Sequence, residues 1–206
     1  MGQSFVSVIA CGGESRRFGS DKAQQDLVGI SLLDRVVDIA NGYGAPVALS
    51  LRTQDQVSRS DLPQFFDDQT DIGPVSALLS AFGFAGAQDA SHVLLLACDQ
   101  PFLPSDLAVR LLAKIGTAGV AIPVSGGHDQ NMAALWRVDE AALRDYVAGG
   151  GRSLWRFAEQ VGIRRVAWDE QDGDPFMDID ERAHLLEAER RIARLPRPDR
   201  DIEGFA

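Results

Sequence analysis

At 206 residues, with 45% hydrophobic and 24% charged side chains, the chain is long enough for one domain burying roughly 70% of its unfolded surface, and too apolar to be disordered. Twenty basic against thirty acidic residues leave a formal charge of −10, which disfavours a broad nucleic-acid or anionic-membrane surface, so any polyanion must be held locally. No run approaches the ~18 apolar residues of a membrane span, the N-terminus lacks the basic-then-apolar layout of a signal peptide, and two cysteines are too few for a disulfide framework. The expectation is a cytoplasmic protein with no nucleic-acid and no membrane partner.

Residues 5–23, FVSVIACGGESRRFGSDKA, open with an apolar strand that breaks at Gly12 and Gly13 and continues into Ser15, Arg16, Arg17, Gly19, Asp21 and Lys22. Paired glycines permit a sharp turn and bring main-chain N–H groups within reach of a ligand, and three cations make the loop attractive to phosphates. The stretch matches neither GxxxxGK[ST] nor GxGxxG, so an ordinary strand-to-helix connection remains the competing reading.

Helical spacing follows over residues 30–40, closed by Gly42 and Gly44, and then a short strand over 46–51 (PVALSL), which makes a strand–helix–strand unit. Asp67, Asp68 and Asp71 crowd a second loop, and Pro74 starts a helix over 75–85. The run from Val93 to Cys98 is continuously apolar, as in a strand covered on both faces, and stops on Asp99, where open α/β sheets keep their ligands. A turn-capping aspartate before Pro101 is the alternative.

A helix over 105–115 with Ser105 as its cap comes next, then strands over 120–124 and 131–136 that pair as a hairpin across the cleft, with His128 read as a turn residue. Helices over 140–147 and 153–161 flank a GGGR connection whose Arg152 reads as solvated, and a strand lies near 165–168. In DGDPFMDID (residues 172–180), Asp178 and Asp180 lie two apart and share one face if extended; they suit a hard divalent cation or, equally, an acidic helix start for 181–195. The buried thiols Cys11 and Cys98, ending neighbouring strands, are expected to be free, and residues 196–206 to form a mobile tail.

Four segments, GGESRRFGSDKA (12–23), DIGPVSALLSAF (71–82), LLLACDQPFLPSDL (94–107) and DPFMDID (174–180), together resemble the molybdenum cofactor guanylyltransferases, within the wider group of nucleotidyltransferases. The resemblance implies an α/β fold, a three-layer αβα sandwich with a mostly parallel, Rossmann-like (GT-A-like nucleotidyltransferase) central sheet, as one domain over residues 1–195. It implies transfer of GMP from GTP to the terminal phosphate of molybdopterin with release of pyrophosphate, dependent on Mg²⁺. By the same resemblance Ala10, Cys11, Gly12, Gly13, Ser15 and Ser50 line the nucleotide, Arg16, Arg17 and Lys22 sit on its triphosphate, and Asp68 lies near it. Asp99 binds Mg²⁺ at the α-phosphate with Asp178 or Asp180, and Lys22, Arg17 and Asp99 carry the catalysis. Transient contact with other cofactor-biosynthesis proteins or molybdoenzyme chaperones is a further implication.

Three positions depart from the family pattern. Asp178-Ile179-Asp180 stands where an Asn-x-Asn is usual and looks more like the molybdopterin cytidylyltransferases, Cys11 replaces the usual Ala, and Ser50-Leu51-Arg52 replaces an asparagine-containing strand end. CTP or another phosphorylated acceptor therefore stays open as an alternative, as does a catalytically inactive nucleotide- or partner-binding module.

Overall fold

The computed structural model describes residues 4–12, 22–57, 59–66, 73–171 and 173–194. Strand β1 (Phe5–Ala10) is followed by a 3-10 turn (Lys22–Gln24), the hairpin β2 (Asp26–Leu27) and β3 (Ile30–Ser31), helix α1 (Leu32–Gly42), β4 (Val47–Leu51) and β5 (Gln64–Phe66). Helix α2 (Pro74–Ala87) then leads to β6 (His92–Ala97), α3 (Leu107–Ile115), β7 (Val120–Ser125), β8 (His128–Asp129) and β9 (Ala133–Arg137). The last elements are α4 (Glu140–Ala148), α5 (Leu154–Val161), β10 (Ile163–Ala167) and α6 (Arg182–Arg194).

The main sheet runs β10-β7-β9-β6-β1-β4-β5, with β8 attached to β7. Only β9 opposes its neighbours along that order; the pairings β6-β1, β1-β4, β4-β5 and β7-β10 are parallel. Alternation along β1 explains why the sheet needs two covers. Val6, Val8 and Ala10 point to the face packed by α2, α4 and α5, while Ile9 and Cys11 point to the face packed by α1 and α3. The central strands are buried on both sides, hence their nearly continuous apolar sequences. The result is the expected three-layer αβα arrangement.

Chain order fixes where a cleft can form. From β1 the chain winds outward through α1 to β4 and β5, and α2 on the other face carries it back to β6 on the opposite side of β1. The winding reverses between β1 and β6, so the connections at their carboxyl ends diverge and leave a crevice there. Helix α2 suits its place beneath it: Val75, Ala77, Leu78, Ala81, Phe82, Phe84 and Ala85 are buried, and no charged residue interrupts it. Its N-cap, Gly73, sits at φ +59, which explains a glycine before Pro74.

Several boundaries differ from the sequence expectations. The helix expected from residue 30 begins at Leu32, because Ser31 caps it by accepting from the Asp34 N–H and Ile30 is already paired in the β2-β3 hairpin. Helix α3 starts at Leu107 with Asp106, not Ser105, at the cap position, and without a side-chain cap bond. The strands expected to form a hairpin across the cleft do pair antiparallel, but β9 is an interior strand of the main sheet between β6 and β7. The reading of residues 196–206 as a tail lies outside the described residues.

Candidate active site

Three segments meet at the carboxyl end of β6. Asp99 stands two residues past the end of that strand, and Ile179 N–H donates to its carbonyl oxygen at 3.0 Å, drawing residues 176–180 against the sheet edge. Phe176 and Ile179 anchor this segment: Phe176 stands edge-on to Trp168, with ring centroids 5.6 Å apart, and Ile179 packs with Leu27, Leu32 and Ala188. From the other side the 3-10 turn delivers Lys22. Its ammonium bridges the two, 2.5 Å from Asp99 Oδ2 and 2.5 Å from Asp180 Oδ1.

The electrostatics follow from that geometry. Burial alone would lower the pKa of the Lys22 ammonium, but the charges and hydrogen bonds of Asp99 and Asp180 outweigh it and the net shift is upward. Asp178 is pushed up to about 6, first by burial and then by the negative charge of Asp99, with the Gln100 amide and Lys22 opposing. The second oxygen of Asp99, Oδ1, is buried with no hydrogen-bond partner among the described residues. Such a carboxylate oxygen retains its full capacity as an acceptor or ligand.

On the β1 side, Ala10 pairs with Ala97 and with Ser50, so the ends of β1, β4 and β6 lie abreast. The side chains of Ala10, Cys11 and Ser50 are buried, leaving the main chain to form the edge at these positions. Cys11 and Cys98 stand opposite one another as expected and are free thiols. Hydrogen bonding to Cys11, followed by burial, pushes the Cys98 thiol well up, so it stays protonated.

Of the residues expected at the site, Lys22, Asp99, Asp178 and Asp180 are thus brought together, and Gly12 begins the connection beside them. Gly13, Ser15, Arg16, Arg17 and Asp68 lie outside the described residues. The carboxylates do not converge on a point among the described residues; the Lys22 ammonium lies between two of them instead. His128 is exposed but is not a turn residue: it opens β8, paired with Ser125, and the turn itself is Gly126-Gly127. Arg152 is exposed too and lines a separate hollow with Gly149, Gly150, Tyr146 and Arg156. Two glutamines escaped sequence reasoning: Gln100, whose Nε2 donates to the Phe176 carbonyl at 3.2 Å, and Gln56, whose amide touches Cys11. Gln56 sits in a polar stretch with no periodicity to distinguish it, and Gln100 in a short turn after β6 that carries no period.

Residues 7–166 match the family model of the MobA-like NTP transferase domain. The chain belongs to that family. It is 34% identical to a molybdenum cofactor guanylyltransferase of Acidiphilium cryptum over 91% of this chain and 95% of the relative. It is 32% identical to one of Rhodobacter capsulatus over 91% and 96%. Among solved structures, molybdopterin-guanine dinucleotide biosynthesis protein A of Archaeoglobus fulgidus superposes with a TM-score of 0.73 at 17% identity, covering 92% of this chain and 99% of its own. A 4-diphosphocytidyl-2C-methyl-D-erythritol synthase of Anaerococcus prevotii shares the fold at a TM-score of 0.69 and 12% identity, covering 93% and 97%. The protein is accordingly a nucleotidyltransferase of the α/β type, and the cluster at the end of β6 stands at the reversal of winding where this fold leaves room for a ligand.

Proposed function

We propose that the protein transfers GMP from GTP to the terminal phosphate of molybdopterin, as one nucleotidyltransferase domain over residues 1–195 acting in the cytoplasm. The observation that carries the chemistry is the Lys22 ammonium held against Asp99 at the reversal of winding; the substrates come from relatives named molybdenum cofactor guanylyltransferase over nine-tenths of the chain. An oxygen of the acceptor's terminal phosphate attacks the α-phosphorus of GTP, a new P–O–P bond forms, and the bond to the β-phosphate bridging oxygen breaks to release pyrophosphate. The attacking oxygen is already an anion at neutral pH, so no general base is needed.

Catalysis then consists of positioning and charge balance. Lys22, freed from Asp180 by an incoming phosphate, neutralises charge moving toward the departing pyrophosphate, and Arg16 and Arg17 serve the same triphosphate. Gly12 and Gly13 let the nucleotide approach the main chain, with Ser15, Ser50 and Asp68 beside it. A divalent cation fits this donor set: Asp99 Oδ1 is a buried, unpartnered carboxylate oxygen, Asp178 and Asp180 add hard oxygen donors, and the Lys22 ammonium between Asp99 and Asp180 marks a position favourable to positive charge. Mg²⁺ held by Asp99 with Asp178 or Asp180 would supply charge neutralisation at the α-phosphate.

The acidic Asp178-Ile179-Asp180 sequence favours a second reading, the same transfer with CTP. The product has to be handed onward, so contact with other cofactor-biosynthesis proteins or molybdoenzyme chaperones belongs to the proposal. The test is transfer of label from α-phosphate-labelled GTP into a molybdopterin product that retains guanine. Label recovered only from CTP would select the second reading, and label from neither nucleotide would leave a binding module.

A further inference from the structure

We propose that Gln56 is a positioning residue that wedges the carboxyl ends of β1 and β4 apart and thereby fixes where the connection after β1 stands at the nucleotide crevice. The inference rests on the nucleotide-binding reading of the connection after β1.

Its basis is a missing rung. In the parallel β1-β4 ladder, alternate residues of β1 bond to two positions of β4, as Ser7 N–H does to the Pro46 carbonyl at 2.9 Å. Cys11 continues the pattern halfway: its N–H donates to the Ser50 carbonyl at 2.8 Å. The next rung should join Arg52 N–H to the Cys11 carbonyl. Instead the Gln56 side-chain amide stands between them, with Arg52 N–H donating to Gln56 Oε1 at 2.8 Å and Gln56 Nε2 donating to the Cys11 carbonyl at 2.7 Å. A side-chain amide has the donor and acceptor of a peptide unit, so it satisfies both strand ends while holding them one amide further apart than a direct bond would.

Gln56 also ties in the far end of the connection. Its main-chain carbonyl accepts from Gln24 Nε2, in the same 3-10 turn as Lys22, and its own N–H closes a turn onto the Thr53 carbonyl. One residue thus braces Cys11, just before the glycine pair, and the turn that presents Lys22, and fixes both to the exit of β4. Gln56 is 6% exposed, so it acts through these neighbours and not by touching a ligand. Its buried polar groups are satisfied only by this arrangement, which makes the spacing unique.

Replacing the amide by an apolar side chain lets Arg52 N–H reach the Cys11 carbonyl, closing the strand ends at little cost in ladder bonds. The experiment compares wild type, Gln56→Met, Gln56→Asn and Gln24→Met for binding of a fluorescent ribose-labelled GTP, melting temperature, and kcat and KM for both substrates. The expected result for Gln56→Met is GTP binding weakened about tenfold, on the scale of one or two lost hydrogen bonds, with kcat within about twofold and KM for the acceptor unchanged. Gln24→Met, at an exposed side chain, removes only the brace to the turn that presents Lys22 and is expected to weaken GTP binding about threefold, on the scale of one exposed hydrogen bond; Gln56→Asn, an amide one methylene too short to meet both strand ends, decides the matter if Gln56→Met does not fold. GTP binding equal to wild type in folded Gln56→Met, or in Gln56→Asn where Gln56→Met does not fold, overturns the wedge. A wild type that binds neither labelled GTP nor labelled CTP overturns the nucleotide reading beneath it, which is a distinguishable failure.

Discussion

Lys22 has the largest predicted consequence of any single side chain. Its ammonium answers two carboxylates, and in the proposed reaction it answers phosphate charge that grows on the leaving group. Lys22→Ala is expected to lower kcat by about a hundred- to a thousandfold, the scale for one lost electrostatic stabiliser, while the melting temperature stays near that of wild type because the side chain lies at an edge. Turnover within severalfold of wild type would move the chemistry elsewhere. His92 offers a separate prediction about stability. It is buried at the start of β6, its Nδ1 is 2.9 Å from Ser91 Oγ, and burial, then the Arg137 guanidinium, hold its pKa below the ordinary 6.5. The unfolded chain therefore binds a proton that the folded chain refuses, so stability is full above the unfolded value and falls as pH drops through about 6.5 toward the lower folded value. Asp178, raised to about 6, contributes with the opposite sign over part of this range, so the loss is read as the difference between wild type and His92→Gln in melting temperature from about pH 7.5 to 5, wild type falling more. Lys22 and Asp99 were legible in the sequence because each ends a recognisable segment. Their direct contact was not, since 77 residues separate them and no periodicity reports a pairing across that distance.

At the scale of elements, apolar runs gave β1, β4 and β6 and helical spacing gave α1 and α3, because burial on a face imposes a period on the sequence. The short pieces carried no such signal. The β2-β3 hairpin offers four paired residues, too few to alternate visibly, and it displaced the start of α1 to Leu32. Its turn also bears a strain that the sequence hides. Val28 sits at φ +56 and Gly29 at φ +80, a two-residue turn that suits Asn-Gly, yet position 28 is an exposed β-branched residue. Val28→Asn is expected to raise stability by about 1 kcal/mol by relieving that backbone cost, measurable as a higher denaturant midpoint with unchanged slope. An unchanged or lower midpoint would show that Val28 is held there by a contact worth more than the strain.

For the whole molecule, strand order decides function more than any motif does. The segments quoted from the sequence are scattered over 169 positions, from Gly12 to Asp180, and become a site only because the winding reverses between β1 and β6 while residues 176–180 return to the same edge. A formal charge of −10 makes the local placement of Lys22 all the more necessary for a polyanionic substrate. The resemblance assigns base reading to the connections after β1 and β4, where Cys11 and Ser50-Leu51-Arg52 depart from the family pattern while Asp21-Lys22-Ala23 and Gly73-Pro74 keep the guanylyl form. The most direct measurement is pyrophosphate release by the purified protein with molybdopterin, in parallel with GTP and with CTP, with and without Mg²⁺. Release that requires Mg²⁺ and is faster with GTP is the predicted result; faster release with CTP, or none with either nucleotide, would contradict it.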